Sequence, residues 1–198
     1  MSTPAPTTRA RLVEAAGRLT AEHGWAQVTM ARLADEVGVS RQTVYNEVSG
    51  RAGLAEAMIE RELERFLEVV TGAFDAHPPP GPAALVAAIS DACLGCLHLA
   101  TDNALLHAIV SATHGADTEL LPLLTTHAGS LLEAAKAVVV ERVRPYEHGL
   151  ADDRLSPVVD MVVRVVLSHV MQPSADPGST AADLAWLAAR VLGTAPPA

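Results

Sequence analysis

The chain is 198 residues long, with 49% hydrophobic, 19% charged and 3% aromatic residues. These proportions exclude a disordered or low-complexity protein and favour helices packed through aliphatic side chains over a sheet. The net charge of −9 is uneven, because residues 1–51 carry +1 and residues 52–198 carry −10, so the acidity does not exclude nucleic acid as a partner of the first fifty residues.

The beginning of the chain, from Met1 to Arg11, contains no apolar run of the signal-peptide kind. The longest stretch without Asp, Glu, Lys or Arg, residues 76–90, contains four prolines, so we predict no segment that spans a bilayer. We expect a cytoplasmic protein with no membrane partner. The only cysteines, Cys93 and Cys96, exclude a disulfide scaffold.

Three short helices are predicted in the first fifty residues. Thr7 or Thr8 caps the first helix, and the other two cover Met30–Val37 and Arg41–Val48, each after a capping hydroxyl. Two helices of about eight residues are unstable in isolation, so they must turn sharply and share a buried face with the first helix. This is the sequence pattern of a helix-turn-helix.

The third of these helices is polar on the side opposite its buried face. With Val44 turned to the core, Gln42 and Asn46 fall at about 160° and 200° from it. Gln and Asn side chains can bond bidentately to adenine in the major groove of DNA. An ordinary solvated helix surface is the alternative interpretation of this polar face. Ser40 and Arg41, beside the free amides of the helix start, suit a phosphate.

Residues from Arg9 to Leu54 resemble the TetR-type transcriptional regulators, and residues 28–46 carry the resemblance. The resemblance implies an all-α homodimer of about nine helices, with an N-terminal helix-turn-helix DNA reader and a C-terminal helical domain for ligand binding and dimerisation. We therefore predict a DNA-binding domain over residues 1–52 and a ligand-binding and dimerisation domain over residues 53–198.

The resemblance also implies which positions face DNA, and Arg51 matches a place where the family usually has a phosphate-contacting lysine. The chain departs from the family at Val48, Gly50 and Ala52, where Phe, a capping Ser or Asn, and Glu are common, so we expect a weakened start of the fourth helix. The predicted DNA-binding residues are Thr29, Ser40, Arg41, Gln42, Thr43, Tyr45, Asn46 and Arg51.

The rest of the chain is predicted to be helical, with breaks at proline and glycine clusters. A Ser-Pro pair and a Thr-x-x-Asp capping box mark the starts of the last two helices. The predicted helices cover Gly53–Asp75, Pro82–Thr101, Asn103–His114, Pro122–Arg144, Pro157–Met171 after Ser156, and a last helix from Thr180.

The helix that ends at Met171 is apolar on most sides, so it must be covered nearly all round. We predict that one side packs on its own subunit and the other on the same helix pair of a second subunit, in a two-fold four-helix interface. A wholly intramolecular core is the alternative. The predicted interface residues are Val159, Val163, Val166, Val170, Leu184, Leu187, Ala188 and Val191.

The middle helices combine apolar residues with occasional histidines, as ligand pockets do. Because aromatic residues are few, we favour a small aliphatic or otherwise hydrophobic effector, and we predict no cofactor and no metal. The predicted ligand-binding residues are Leu97, Leu106, Ile109, Val110, Leu124, His127, Leu131, Met161 and His169.

Other functions are left open by single features. Cys93 and Cys96, with His98, could sense oxidation or bind a metal, although small buried thiols are the usual outcome for such a pair. A small-molecule binding protein without DNA binding is a further alternative. The sequence has no Gly-rich phosphate loop, nucleophile elbow or His-Glu-x-x-His pair, and Ser130 lacks a strand context, so an enzyme is not expected.

Together with the family resemblance, these patterns predict a ligand-responsive regulator, a repressor that binds a palindromic double-stranded operator as a homodimer. Each third helix enters a major groove, the two about one helical turn apart, ~34–36 Å. A hydrophobic effector in the C-terminal domain then favours a dimer whose two DNA-binding domains have the wrong spacing for the operator. The helix Gly53–Asp75 transmits this change between the two domains.

Overall fold

The computed structural model describes residues 5–101, 103, 105–107 and 121–194, apart from the side chains of 121–128 and 130. The regular structure in these ranges is helical throughout, which confirms the predicted all-α fold. Residues 105–107 are helical as well. The helices are α1 (Thr8–His23), a 3-10 turn (Trp25–Gln27), α2 (Met30–Val37), α3 (Arg41–Val48), α4 (Gly50–Ala76), α5 (Pro82–Thr101), α6 (Leu121–Val143), α7 (Asp152–Met171) and α8 (Pro177–Val191).

The starts of the first three helices are set by hydroxyl caps, as predicted. The Thr7 side chain accepts from the amide of Ala10 at 3.2 Å and begins α1, and Gly38 in the left-handed region ends α2. Thr29 and Ser40 cap α2 and α3 in the same way. Short local signals therefore determine the bounds of both eight-residue helices.

Backbone contacts divide the chain into two compact units, Met1–Glu62 with Asn103–Ala128, and Leu63–Asp102 with Gly129–Ala198. The predicted domain border at residue 52 falls earlier than the first of these limits. The reason is that Leu54 and Met58 of α4 are buried in the same hydrophobic core as α1, α2 and α3, and Leu105 joins that core. The helix α4 thus contributes to both units.

The start of α4 differs from the prediction, since the helix begins at Gly50 and not at Gly53. Ser49 and Gly50 both have positive φ, 53° and 88°, so the chain reverses between α3 and α4 within two residues. A Cβ atom on Gly53 would meet the carbonyl oxygen of Val48 well inside contact distance. The close approach of these two backbones therefore requires glycine at position 53.

In the second unit, an aromatic pair joins the end of α4 to the loop after α6. The rings of Phe74 and Tyr146 meet edge to face with centroids 5.9 Å apart. The Tyr146 hydroxyl donates to the carbonyl oxygen of His77 at 2.5 Å, and Leu155 of α7 packs in the same cluster.

The helix α5 corrects the prediction that no segment could span a membrane. It is long and apolar enough to do so by length and composition, with Asp91 as its one Asp, Glu, Lys or Arg. In the structure α5 packs against α7 and α8 and buries residues such as Leu85 and Val86. Core helices of water-soluble proteins have the same composition, so these contacts account for the apolar sequence.

The predicted starts of the last two helices are wrong. The helix α7 begins at Asp152, with Pro157 inside it, because burial of Leu155 keeps the preceding turn helical and two acidic residues there suit the helix dipole. The helix α8 begins at Pro177, and Asp176 is its cap, accepting from the amide of Ser179 at 2.9 Å. Thr180 is buried in the first turn and is not the cap.

Two other helices follow the prediction. α5 has the predicted bounds, and α6 matches its prediction to within one residue at each end. Most of the helix predicted over Asn103–His114 lies outside the described residues.

Candidate nucleic-acid interface

The helix α3 presents a polar face to solvent because its other face is buried. Val44 and Val48 lie fully within the core of the first unit. On the opposite side Gln42 and Asn46 are exposed, and Tyr45 is 53% exposed. The structure thus brings together three of the predicted base-contacting side chains at the surface.

The two amides on this face are hydrogen-bonded to each other. The Nε2 of Gln42 donates to the Oδ1 of Asn46 at 3.0 Å. The residues are one helical turn apart, which is the spacing at which side chains on a helix meet. These side chains therefore form one polar surface on α3.

Three predicted DNA-binding residues have structural roles at helix starts. The Ser40 hydroxyl accepts from the amide of Thr43 at 3.1 Å and lies 2.9 Å from the hydroxyl of the same residue. Thr29 accepts from the amide of Arg32 at 3.2 Å. Both capping residues, Thr29 and Ser40, are exposed at the surface.

The arginines of the first fifty residues are largely engaged within the protein. Arg9 donates to the carbonyl oxygen of Glu47 at 2.9 Å, and Arg11 donates to that of Val37 at 2.6 Å. Arg18 pairs with two glutamates at 3.2 and 3.5 Å. Among the residues that the structure describes, the Arg32 and Arg41 side chains have no hydrogen bond or ion pair, and Arg41 is exposed.

Arg51, predicted to contact a phosphate, makes several contacts within the protein. Its guanidinium donates to the carbonyl oxygens of Val28 and Trp25 at 2.5 and 3.3 Å. It also lies over the Trp25 ring, 4.7 Å from the centroid. The side chain holds the turn between α1 and α2 against the start of α4. An arginine reaches these carbonyls with several N–H groups at once, which a lysine at this position does not.

The predicted ligand-binding residues are only partly placed by the structure. Ile109 and Val110 lie outside the described residues, and so do the side chains of Leu124 and His127. Leu106 is half-buried in the first unit. In the second unit Leu97 is buried, and Leu131 and His169 are half-buried. Met161 is 67% exposed, so it does not line an interior pocket of this chain.

The predicted interface residues separate into three sets by burial. Val159 and Leu184 are buried in their own chain and belong to its core, a correction of the prediction. Leu187 and Val191 are each 49% exposed on α8. Half-buried side chains make up the remainder, namely Val163, Val166, Val170 and Ala188.

Several exposed apolar residues on the same two helices were missed by sequence reasoning. With Val159 turned to the core, Met161 and Val165 fall at about 200° and 240° on the opposite side of α7, so the helical period could have found them. The apolar pattern did not show which side is the core. The exposed large apolar residues of α7 and α8 are Met161, Val165, Leu167, Met171, Trp186, Leu187 and Val191.

The two cysteines lie buried in α5. Burial raises the pKa of each thiol to about 12, and the neighbouring Cys96 adds to the effect on Cys93. The thiolate, which is the reactive and metal-binding form, is therefore suppressed at neutral pH. His98 is exposed, and the described part of the chain holds no group of three metal-ligating side chains. These observations disfavour the redox- or metal-sensing alternative.

Two protein-family models match the chain, one near its beginning and one over its larger C-terminal part. Residues 12–58 match the model described as bacterial regulatory proteins, tetR family. Residues 85–190 match the model described as bacterial tetracyclin repressor, C-terminal domain. The first match contains α2 and α3 and the whole exposed polar face.

Individual proteins with related sequences or structures are also regulators. The chain is 28% identical over 181 residues to the HTH-type transcriptional regulator AlkX of Mycobacterium tuberculosis, covering 90% of this chain and 82% of the relative. It is 27% identical to AlkX of Dietzia sp., a TetR family repressor implicated in biodegradation of n-alkanes, with a TM-score of 0.73 over 92% of this chain and 96% of that one.

A more distant structure has the same fold. FadR of Bacillus subtilis, solved with stearoyl-CoA, has a TM-score of 0.56 at 16% identity, over 90% of this chain and 96% of that one.

The stabilising role of the Arg51 contacts, here called the Arg51 brace, is tested with Arg51→Met. We expect the free energy of unfolding to fall by about 1–3 kcal/mol, because the Val28 carbonyl oxygen loses its donor and the Trp25 carbonyl oxygen keeps only the Val28 amide. Arg41→Met makes the same change at an exposed position and should alter stability by less than about 0.5 kcal/mol. Urea unfolding followed by circular dichroism measures both, and equal stability of the two variants would show that Arg51 is not a brace.

Proposed function

The chain belongs to the TetR family of bacterial regulatory proteins, a family of transcriptional regulators, and from this premise we propose that it is a repressor controlled by a small ligand. It binds a palindromic operator in the cytoplasm as a homodimer and leaves it when a hydrophobic effector binds. The observation that carries the proposal is the polar face of α3, where Gln42, Tyr45 and Asn46 are exposed over a buried valine pair.

Base contacts in this proposal come from α3 in the major groove. The amides of Gln42 and Asn46 reach base edges, and Tyr45 adds an exposed ring beside them. Arg41, exposed at the start of α3, contacts a phosphate and helps to fix the register of the helix on the duplex. In a two-fold dimer the two α3 helices read half-sites about one helical turn apart, ~34–36 Å.

The proposed dimer interface is the outer surface of α7 and α8. Large apolar residues that a chain leaves exposed are typical of interaction surfaces. Met161, Val165, Leu187 and Val191 contribute this surface, and Trp186 adds a ring that stacks with Arg190 at 5.2 Å. Buried aromatic and Arg side chains are typical anchors of protein interfaces.

We propose an aliphatic effector. The similarity to AlkX of Dietzia, which is implicated in n-alkane biodegradation, supports this class, as does the low aromatic content of the chain. Linkage requires the effector to bind the free dimer more tightly than the operator-bound dimer.

A thermal-shift screen tests the effector class. We expect medium- or long-chain fatty acids or n-alkanes to raise the melting temperature, since a ligand of the folded state stabilises it by mass action. Planar aromatic drugs of similar hydrophobicity serve as the comparison set. A shift with the aromatic set alone, or with neither set, would contradict an aliphatic effector.

The DNA-reading face is tested with Tyr45→Ala. We expect operator binding to fall at least about 30-fold in a mobility-shift assay, as for a hot-spot side chain worth more than 2 kcal/mol. The dimer and its melting temperature should not change, because Tyr45 lies outside the core. Glu22→Ala, an exposed position at the end of α1, is the control and should bind as the wild type does. Wild-type affinity of the Tyr45 variant would refute the assignment of this face.

The dimer is tested with Leu187→Glu, which places a charge on the outer surface of α8. We expect sedimentation to show a monomer at micromolar concentration, and operator binding to be lost as a consequence, because a buried unpaired charge opposes association. Ala134→Glu adds the same charge at an exposed position of α6 and should remain dimeric. A dimer of unchanged affinity in the Leu187 variant would exclude this surface.

A further inference from the structure

The hydrogen bond between Gln42 and Asn46 favours one orientation of both amides in the protein without DNA. Its 3.0 Å length is that of an ordinary amide–amide bond. The neighbouring hydroxyl of Thr43 lies 2.9 Å from that of Ser40, so it already has a partner within the turn. Two side chains held together in this way have less rotational freedom to lose when they contact bases.

The bond leaves the two amides with different free groups. A primary amide has two N–H donors and a carbonyl oxygen with two lone pairs. After donating once, Gln42 keeps one N–H and its whole carbonyl oxygen. After accepting once, Asn46 keeps both N–H donors and one lone pair. Gln42 thus remains a balanced donor and acceptor, whereas Asn46 becomes mainly a donor.

These free groups match different base edges in the major groove. Adenine presents the N7 acceptor beside the N6 amino donor, which fits the remaining N–H and carbonyl oxygen of Gln42. Guanine presents two acceptors, N7 and O6, and thymine presents O4. These acceptor edges fit the donors of Asn46. From the sequence alone, both side chains were predicted to bind adenine. The bond between them gives the two amides different free groups, so their preferred bases differ.

We infer that Gln42 and Asn46 act as one hydrogen-bonded reading unit, in which Gln42 selects adenine and Asn46 selects a keto base, guanine or thymine, at a second base pair of each half-site. The inference rests on the proposed function, because it requires α3 to enter the major groove. It assigns a role to the bond itself, beyond the contacts that each side chain makes.

The test is selection of binding sites from random duplex DNA with the full-length protein and its variants. The wild type should select adenine at one position and a keto base at another, each by about tenfold, the discrimination that a base-edge contact gives. Asn46→Asp keeps an acceptor for Gln42 but turns carboxylate oxygens to the DNA. Its preference at the second position should change to cytosine or adenine, which present amino donors, while the first adenine stays.

A second variant tests whether the two residues are coupled. Gln42→Ala should lose the adenine preference and also weaken the keto preference at least about threefold, because the Asn46 amide is then free to rotate. Arg41→Ala is the control: it removes a phosphate contact and should weaken binding without changing either base preference. Equal melting temperatures show that the variants are folded.

Three results would overturn the inference. One is an Asn46→Asp variant that keeps the keto preference, and another is a Gln42→Ala variant with an unchanged preference at the second position. The third is a change of base preference in Arg41→Ala as large as in Asn46→Asp. A wild-type protein that selects no sequence contradicts the proposed function itself, and is thereby distinguished from failure of the reading unit alone.

Discussion

The polar face of α3 depends on one hydrophobic core that α1, α2, α3 and α4 share. Two helices of eight residues are unstable by themselves, so their orientation is set by what they bury. Val44 and Val48 are covered by this core, and α4 adds Leu54 and Met58 to it. Once the valines face inward, the amides of Gln42 and Asn46 must face outward. The proposed DNA-reading surface is thus a consequence of packing on the opposite side of the helix.

Most arginines of the first unit form hydrogen bonds or ion pairs within the protein, so few of them are available to contact DNA. Arg11 and Arg9 donate to carbonyl oxygens at or next to the last turns of α2 and α3, where the helix dipole favours a cation. Arg51 holds the turn before α2. Net charge along a sequence counts these arginines as available to phosphates, whereas their contacts show that most are structural. The proposed recognition therefore depends on amides and an aromatic ring more than on charge.

Sequence patterns predicted α2 and α3 to the residue because their caps and their glycine or serine ends are local signals. The predicted start of α8 was wrong because the cap is Asp176, a local signal that lies before Thr180, and that of α7 was wrong because packing competes with such a signal. Pro157 is a strong helix-start signal, yet burial of Leu155 extends the helix before it. An apolar pattern also could not show which side of α7 is the core, and so Val159 was assigned to the wrong surface. Pair interactions such as the bond between Gln42 and Asn46 follow from side-chain placement, which periodicity does not give.

The packing also changes how the proposed effector would act on α3. The sequence left α4 as the direct covalent route between the two parts, but the chain passes between the compact units after Glu62, after Asp102 and before Gly129. Asn103 is buried, caps the helical stretch at 105–107 by accepting from the Leu106 amide at 3.0 Å, and donates to Glu62 of α4. Leu105 lies in the core that orients α3. A ligand that contacted Leu106 would therefore contact the compact unit that contains the polar face of α3. The effect of such a ligand on α3 would not have to be transmitted along the whole length of α4.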